Sequence, residues 1–326
     1  MENLRGSFET LLDVRDLNVR YSGSSGNIYA VNGVSFSINK SEVFSLVGES
    51  GCGKSTTAHA IARLLDERKA RMTGEVLLEG NDLMALPWGE MSKYRGKDIG
   101  MIFQNPLDSL NPLWTAGYQI GEAIALDGLD RSAVKTMTEG LLREVMIPAP
   151  AVSAGRYPHE LSGGMRQRAM IAMMVARHPG LLIADEPTTA LDVTIQSQIL
   201  QILRELKETH GTSILLITHD FGIVADIADR VAVMYAGRLV EMGSVDEIFD
   251  SPLHPYAKKL MSSLPRVPKG AGRLDVIAGN VPDMTSPPSG CAFMDRCDEA
   301  APECAKWGGE MTDSGGGHLV SCAMVS

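Results

Sequence analysis

The sequence predicts an α/β fold. A parallel sheet is covered by helices and joined to an antiparallel β-subdomain, an inserted α-helical subdomain and an irregular, cysteine-bearing C-terminal extension. Three observations carry that expectation. Short apolar runs at Val43–Val47, Leu181–Ala184 and Ser213–Thr218 alternate with helical patterns, the order of parallel strands joined by crossover helices. From Asn105 to Gly164 the β-branched runs thin out and helical spacings take over. Seven of the 16 prolines fall between Pro252 and Pro288, which ends the regular core near Leu264.

Taken in order, the alternation of apolar and polar residues from Leu11 to Tyr21 and from Val31 to Ile38 predicts two strands. Gly23-Ser24-Ser25-Gly26 forms the loop between them. Val43–Val47 reads as a buried strand feeding a glycine-rich turn and a helix from Lys54 to Leu65. Further strands are expected at Glu75–Leu78 and Ile99–Phe103. Ile120, Ala123 and Ile124, then Leu141, Leu142 and Val145, place helices in the insert. Ile195, Ile199, Ile202, Leu203 and Leu206 form one buried helical stripe, with Asp192 placed to cap its start. The expected plan is one domain over residues 8–264, with the helical subdomain at about 105–165, followed by the extension at 265–326.

Composition narrows the function. Of the 326 residues, 44% are hydrophobic and 21% charged, which excludes a disordered or fibrous chain. The net charge of −10, from 40 acidic and 30 basic residues, argues against attachment to nucleic acid or lipid by bulk positive charge. The longest apolar run, Ala169–Ala176, has eight residues, well short of the ~18–20 that cross a bilayer. Glu2, Glu9, Asp13 and Asp16 stand where an export signal would need an apolar stretch. A cytosolic protein is expected.

Gly48-Glu49-Ser50-Gly51-Cys52-Gly53-Lys54-Ser55 matches the phosphate-loop pattern G-x-x-x-x-G-K-S/T, after a strand and before a helix. Triphosphate oxygens need converging backbone N–H groups at a helix N-terminus, and glycines let the backbone approach. Lys54 is expected to contact the β- and γ-phosphates, Ser55 to ligate Mg²⁺ and Thr56 to reach the α-phosphate. Cys52 occupies a free position of the pattern. The apolar strand Leu181–Ala184 ends in Asp185 and Glu186. Asp185 is placed to hold the Mg²⁺ shell, and Glu186 to activate water as a general base.

Leu161-Ser162-Gly163-Gly164-Met165, whose last residue lies 20 positions before Asp185, resembles the signature motif of the ATP-binding cassette (ABC) ATPases. Gln104 resembles that family's Q-loop residue, Ala190-Leu191-Asp192 its D-loop and His219 its switch histidine. Tyr21 is placed like the aromatic residue that stacks on adenine. Met165 stands where the family usually has Gln. The resemblance implies a P-loop ABC ATPase core that binds ATP and Mg²⁺. Gln104 would sense the Mg²⁺, His219 orient the γ-phosphate, and Ser162, Gly163 and Gly164 contact nucleotide held by a second cassette. Gly48, Ser50, Gly51, Cys52 and Gly53 would line the phosphates.

The segment Met101–Pro112, the run Asp185–Gln196 and the trailer Ser251–Ala257 with Leu264-Pro265 resemble the di- and oligopeptide importer branch. That implies a subunit powering peptide import, peripheral on the cytoplasmic face of the membrane. Its partners would be two permeases, a second and paralogous ATPase and, through the permeases, an external solute-binding protein; no nucleic acid is expected. Importers of nickel or glutathione share these features, and a soluble ABC ATPase acting on the ribosome or DNA is the alternative of another class. The segment Leu107–Trp114 is expected to meet the permease, unless Leu113 and Trp114 are core.

Four of the five cysteines, Cys291, Cys297, Cys304 and Cys322, fall in the last 36 residues. In a cytosolic chain this suggests a metal site before disulfides. Paired C-x-x-C spacing is absent, which disfavours a zinc ribbon, whereas uneven spacings suit a cluster held by irregular loops. Pro287–Cys297 also resembles the tail of peptide-importer ATPases, some of which hold a 4Fe–4S cluster. Four reduced thiols in a loose tail are the alternative. The tail's few large apolar residues, mainly Phe293, Trp307 and Leu319, would need the cross-links of a metal centre to fold.

Overall fold

The computed structural model describes residues 9–23, 26–104, 109–189, 191–263, 277–287 and 289–325. Residues 105–108 (which include the first two of the expected permease segment Leu107–Trp114), Ala190 of the D-loop pattern, and Leu264 and Pro265 lie outside the described residues. The chain forms two compact units. One is built mainly from Leu86–Leu216, with Asn39–Glu42; the other comprises Leu12–Ile38, Val43–Ala85 and the described residues from Ile217 onward.

In the second unit the strands Thr10–Gly23 and Gly26–Asn39 are longer than the alternation predicts. Thr10–Gly23 lies between Gly26–Asn39 and Ala70–Leu78, and the short strand Asn81–Asp82 completes an antiparallel sheet. One face carries Leu12, Val14, Leu17 and Val19, all buried, and the register shifts between Arg15 and Asn18 where Asp16 turns to φ 45°. Val43–Val47 is buried at every position, as a parallel strand covered on both faces should be. It runs parallel to Arg230–Tyr235, pairing Phe44 with Arg230 and Val47 with Val233. Arg238–Ser244 then returns antiparallel.

The helix after the phosphate loop covers Lys54–Ile61 and stops short of the expected Leu65. Arg63 adopts φ 49° and turns its guanidinium onto the Leu83 carbonyl at 3.0 Å, which ends the helix. Three more helices follow at Phe221–Ile227, Val245–Asp250 and Pro255–Ser262.

The C-terminal extension is mostly irregular, with 3₁₀ turns at Met294–Arg296 and Pro302–Lys306. It is not a loose tail. Leu319–Val320 pairs antiparallel with Glu241 and Met242, and Thr312–Asp313 pairs with it in turn. Phe293, 1% exposed, sits 5.2 Å from the rings of both Tyr235 and Tyr256. The extension therefore contributes side chains to the unit's own core. Two-residue strands are too short to show a period in the sequence, which is why this docking was not foreseen.

The first unit holds Ile99–Ile102 parallel to Leu181–Asp185, whose other neighbour is Ser213–Ile217. The helical insert is present as Ala116–Ala125, Arg131–Glu144 and the turn Pro150–Ser153. Thr115 and Asp130 cap the two longer helices. The expected stripe lies on Val193–His210, with Ile199, Ile202, Leu203 and Leu206 buried and Ile195 half-buried. Leu113 is 77% and Trp114 49% exposed, so neither is a core residue.

Candidate functional site

The phosphate-loop residues of the second unit form a turn that only glycine can complete. Gly48 adopts φ 150°, and a Cβ there would lie 2.2 Å from the Met234 carbonyl oxygen. Gly53, at φ 108°, would put a Cβ 2.4 Å from the Ala30 oxygen. Gly53 begins the helix Lys54–Ile61 with no side-chain cap, and the N-terminus of a helix suits an anion. Lys54 is buried, and its Nζ donates to the carbonyls of Gly48 at 2.7 Å and Glu49 at 3.0 Å. Ser50 and Gly51 are exposed, Ser55 and Thr56 half-buried. Cys52 is buried beneath the loop, where burial pushes its thiol up despite the nearby ammonium. A Gly-rich turn, a helix N-terminus and a buried cation together fit a phosphate ligand.

In the same unit, Tyr21 is half-buried on the strand Thr10–Gly23, opposite Ala70. His219 is exposed just after the strand Ser213–Ile217, and Asp220 beside it caps the next helix.

The first unit assembles a second set. Asp185 is buried at the end of Leu181–Asp185. Glu186 follows with φ 47°, a left-handed conformation that ends the extended run of the strand. Gln104 Nε2 donates to Glu186 Oε2 at 2.9 Å, and Thr189 Oγ1 donates to the same oxygen at 2.8 Å. Gln167 Nε2, buried, donates to the Pro187 carbonyl at 2.7 Å and fixes the turn after the acidic pair. Thr189 and Gln167 were not singled out from the sequence; the first lies only three residues past Glu186, the second in the helix after the signature glycines.

Ser162 caps the helix Gly163–Met174, accepting from the Met165 N–H at 3.3 Å. Ser162 and Gly163 are exposed, with nothing within 4 Å of a Cβ at Gly163. Gly164 is buried, and a Cβ there would meet Ile195 at 2.8 Å. Met165 is half-buried and does not disturb the cap. Asp192 accepts from Ile195 N–H at 3.0 Å and caps Val193–His210, as expected.

Cys304 and Cys322 are buried; Cys291 and Cys297 are half-buried. The Cys291 N–H donates to the Cys304 carbonyl at 2.8 Å, which brings the backbones of two of the four together. Burial pushes the thiols of Cys291, Cys297 and Cys322 up, helped by charge on neighbouring cysteines and, at Cys297 and Cys322, on Glu299. Among the described residues no three His, Cys, Asp or Glu side chains stand close enough to hold one metal ion.

The sequence alone offers no link between the extension and the phosphate loop. The structure joins them. Arg296, in the turn Met294–Arg296, forms a two-pronged ion pair with Glu49 at 2.8 and 3.0 Å. The Tyr256 hydroxyl accepts from the Glu49 N–H at 3.0 Å. Glu49 sits at a free position of the loop pattern, and Arg296 carries no motif, so nothing in the sequence marked the pair.

Residues 31–189 match the ABC transporter family, and residues 240–304 the oligopeptide/dipeptide transporter C-terminal region. The dipeptide transport ATP-binding protein DppD of Bacillus subtilis is 46% identical, over 96% of this chain and 94% of that protein. The oligopeptide transport ATP-binding protein OppD of the same organism is 50% identical over 87% and 80%. OppD of Haemophilus influenzae is 44% identical over 96% of each chain. Among solved structures, the dimeric post-hydrolysis cassette MJ0796 bound to ADP and Pi aligns with a TM-score of 0.65. It is 27% identical and covers 72% of this chain and 99% of that one. No helix among the described residues is long and apolar enough to cross a membrane.

Proposed function

The chain belongs to the ABC transporter family of ATP-binding proteins, and we propose that it is the ATP-hydrolysing subunit that powers an importer of di- or oligopeptides. The observation that carries the reading is the match at residues 240–304. The peptide-transporter C-terminal region follows the cassette in a chain that aligns almost end to end with peptide-transport relatives.

In this reading Lys54 and the turn Gly48–Gly53 bind the phosphates, Ser55 and Asp185 hold Mg²⁺, and Gln104 reports on it. Glu186 takes a proton from water, with Gln104 and Thr189 fixing the carboxylate. His219 orients the γ-phosphate and Tyr21 meets the adenine. Mg²⁺ when bound supplies charge neutralisation on the transferring phosphoryl group. The exposed Ser162 and Gly163, at the start of the helix Gly163–Met174, are free to face nucleotide on a second cassette, a paralogue, with Asp192 beside that interface. Two permeases anchor the pair at the cytoplasmic face of the membrane and receive peptide from an external binding protein. The exposed Leu113 and Trp114 support the expectation that their segment meets a permease.

The four cysteines belong to this proposal as ligands of a 4Fe–4S cluster with a structural role. Four buried or half-buried thiols lie in one extension; among the described residues no three such side chains are placed to hold one ion, so this part of the proposal rests on the cysteine spacing and on the resemblance of Pro287–Cys297. When bound, such a cluster cross-links the irregular loops.

The test is affinity purification of the chain from detergent-solubilised membranes with mass spectrometry of what accompanies it. Two permeases and a second ATPase support the proposal, and ATPase activity stimulated by peptide-loaded binding protein separates peptide from nickel or glutathione. Ribosomes or DNA in place of permeases would transfer the chain to the alternative class.

A further inference from the structure

We propose that Arg296 is a positioning residue of the nucleotide site, acting through Glu49, so that the C-terminal extension forms part of the machinery that binds ATP. The inference rests on reading Gly48–Ser55 as the ATP site. A guanidinium has five N–H donors, and Arg296 uses all of them. Nη1 donates to Glu49 Oε2 at 2.8 Å and to the Tyr235 hydroxyl at 3.1 Å. Nη2 donates to Glu49 Oε1 at 3.0 Å and to the Ile277 carbonyl at 3.2 Å, and Nε to the Ala278 carbonyl at 2.9 Å. The arginine side chain is 7% exposed and that of Glu49 25%. The guanidinium also lies 5.7 Å from the Tyr235 ring and 5.9 Å from that of Phe293. Planar, doubly bonded and fully satisfied, this pair fixes a direction as well as a charge.

Its target is the second residue of the phosphate loop. Glu49 lends its backbone carbonyl to Lys54 Nζ, and its N–H is held by Tyr256. All three polar groups of Glu49 are therefore committed, the carboxylate by Arg296 of the extension. A loop that must hold a polyanion carries an acid at this position, which is tolerable because Arg296 neutralises it. Without Arg296 the carboxylate would repel the phosphates and pull the loop towards solvent.

The experiment uses the full chain and measures Mg–ATP dissociation constants, with thermal melting in parallel. Arg296→Ala is expected to weaken ATP binding by at least about tenfold. Adding Glu49→Gln to that variant removes the unpaired charge and is expected to restore affinity to within about threefold of the parent. A merely structural role for Arg296 would give no such rescue. Affinity within twofold of the parent in Arg296→Ala, or a double variant as weak as the single, overturns the proposal. Should Arg296→Ala not fold, Arg296→Lys takes its place, with a rise of about threefold expected and no rise overturning the idea. Lys54→Ala is run alongside: if it alone binds ATP normally, the reading of the loop fails, whereas if it weakens binding and Arg296→Ala does not, only this inference fails.

Discussion

Replacing Glu186 by Gln separates chemistry from binding, and the geometry says by how much. Gln104 Nε2 and Thr189 Oγ1 both donate to one carboxylate oxygen, Oε2, at 2.9 and 2.8 Å. A glutamine that places its amide oxygen there keeps both bonds, and its NH₂ takes the volume of the other oxygen. Two charge-assisted hydrogen bonds become neutral ones, a local loss of about 1 kcal/mol each. Loss of a general base costs on the order of 10²–10⁴ in rate, or about 3–5 kcal/mol of barrier. The chemical loss therefore exceeds the structural one. Equilibrium ATP binding is expected within a few-fold of the parent, while steady-state phosphate release falls by two to four orders of magnitude. ATP-loaded dimer should then accumulate, visible by size-exclusion chromatography. Turnover within about tenfold of the parent would remove Glu186 from the role of base. Binding lost together with turnover would make it a nucleotide ligand.

Other outcomes follow from the same structure. Gly48→Ala would force a Cβ to 2.2 Å from the Met234 backbone oxygen, and ATP binding should be lost in an equilibrium assay. Gly51→Ala meets nothing within 4 Å and should cost only the left-handed backbone penalty of about 1–2 kcal/mol. His254 is 1% exposed and burial draws it down to about 4 from its ordinary value of 6.5. Between those values the unfolded chain binds a proton that the folded one refuses, so stability is lost as pH falls from about 6.5 to about 4, by roughly 3 kcal/mol from this group. His254→Asn keeps an acceptor for the Tyr256 N–H without titrating there, and its denaturation midpoint should fall less over that window; parallel curves would refute the assignment. Anaerobically purified chain should be brown and carry iron and sulfide at about four each, and stoichiometric zinc or no metal would overturn the cluster.

The sequence made legible whatever repeats or is fixed by short-range geometry. Val43–Val47 was read with both ends correct because four of its five residues are apolar and the one polar residue, Ser45, is as buried as they are. Asp192 and Ser162 announce helix starts by residue type, and both cap. The hydrolytic set was legible as spacing, yet the meeting of Gln104 with Glu186 depends on two parallel neighbours, Ile99–Ile102 and Leu181–Asp185, with no local trace. The helix Trp88–Tyr94 was missed because only Met91 of its seven residues is buried, so it has no apolar stripe to find. The extension was misjudged for a related reason. Its apolar side chains are too few for a core of their own, but Phe293 and Val320 need none, since they complete one built by Tyr235, Tyr256 and the strand Arg238–Ser244.

That completion runs to the phosphate loop through buried charge. Glu241 is 0% exposed, and a carboxylate so placed is costly unless each oxygen is matched. Its Oε1 meets His318 Nε2 at 2.7 Å and the Leu253 N–H at 2.8 Å, and its Oε2 takes the His254 N–H at 2.7 Å. His318 comes from the extension, so the extension supplies one of the three contacts that make this buried acid tolerable. His254 in turn caps the helix Pro255–Ser262 through the Tyr256 N–H, and that helix presents the Tyr256 hydroxyl to the Glu49 N–H. Burial raises Tyr256 well above its ordinary range, so the hydroxyl stays neutral and keeps its place as acceptor. Arg296 reaches the same residue through its carboxylate. The loop is thus held at one residue by two routes, and both begin in the extension. A motif that sequence reads as eight consecutive residues is, in the folded chain, supported from positions about 200 and 250 residues away.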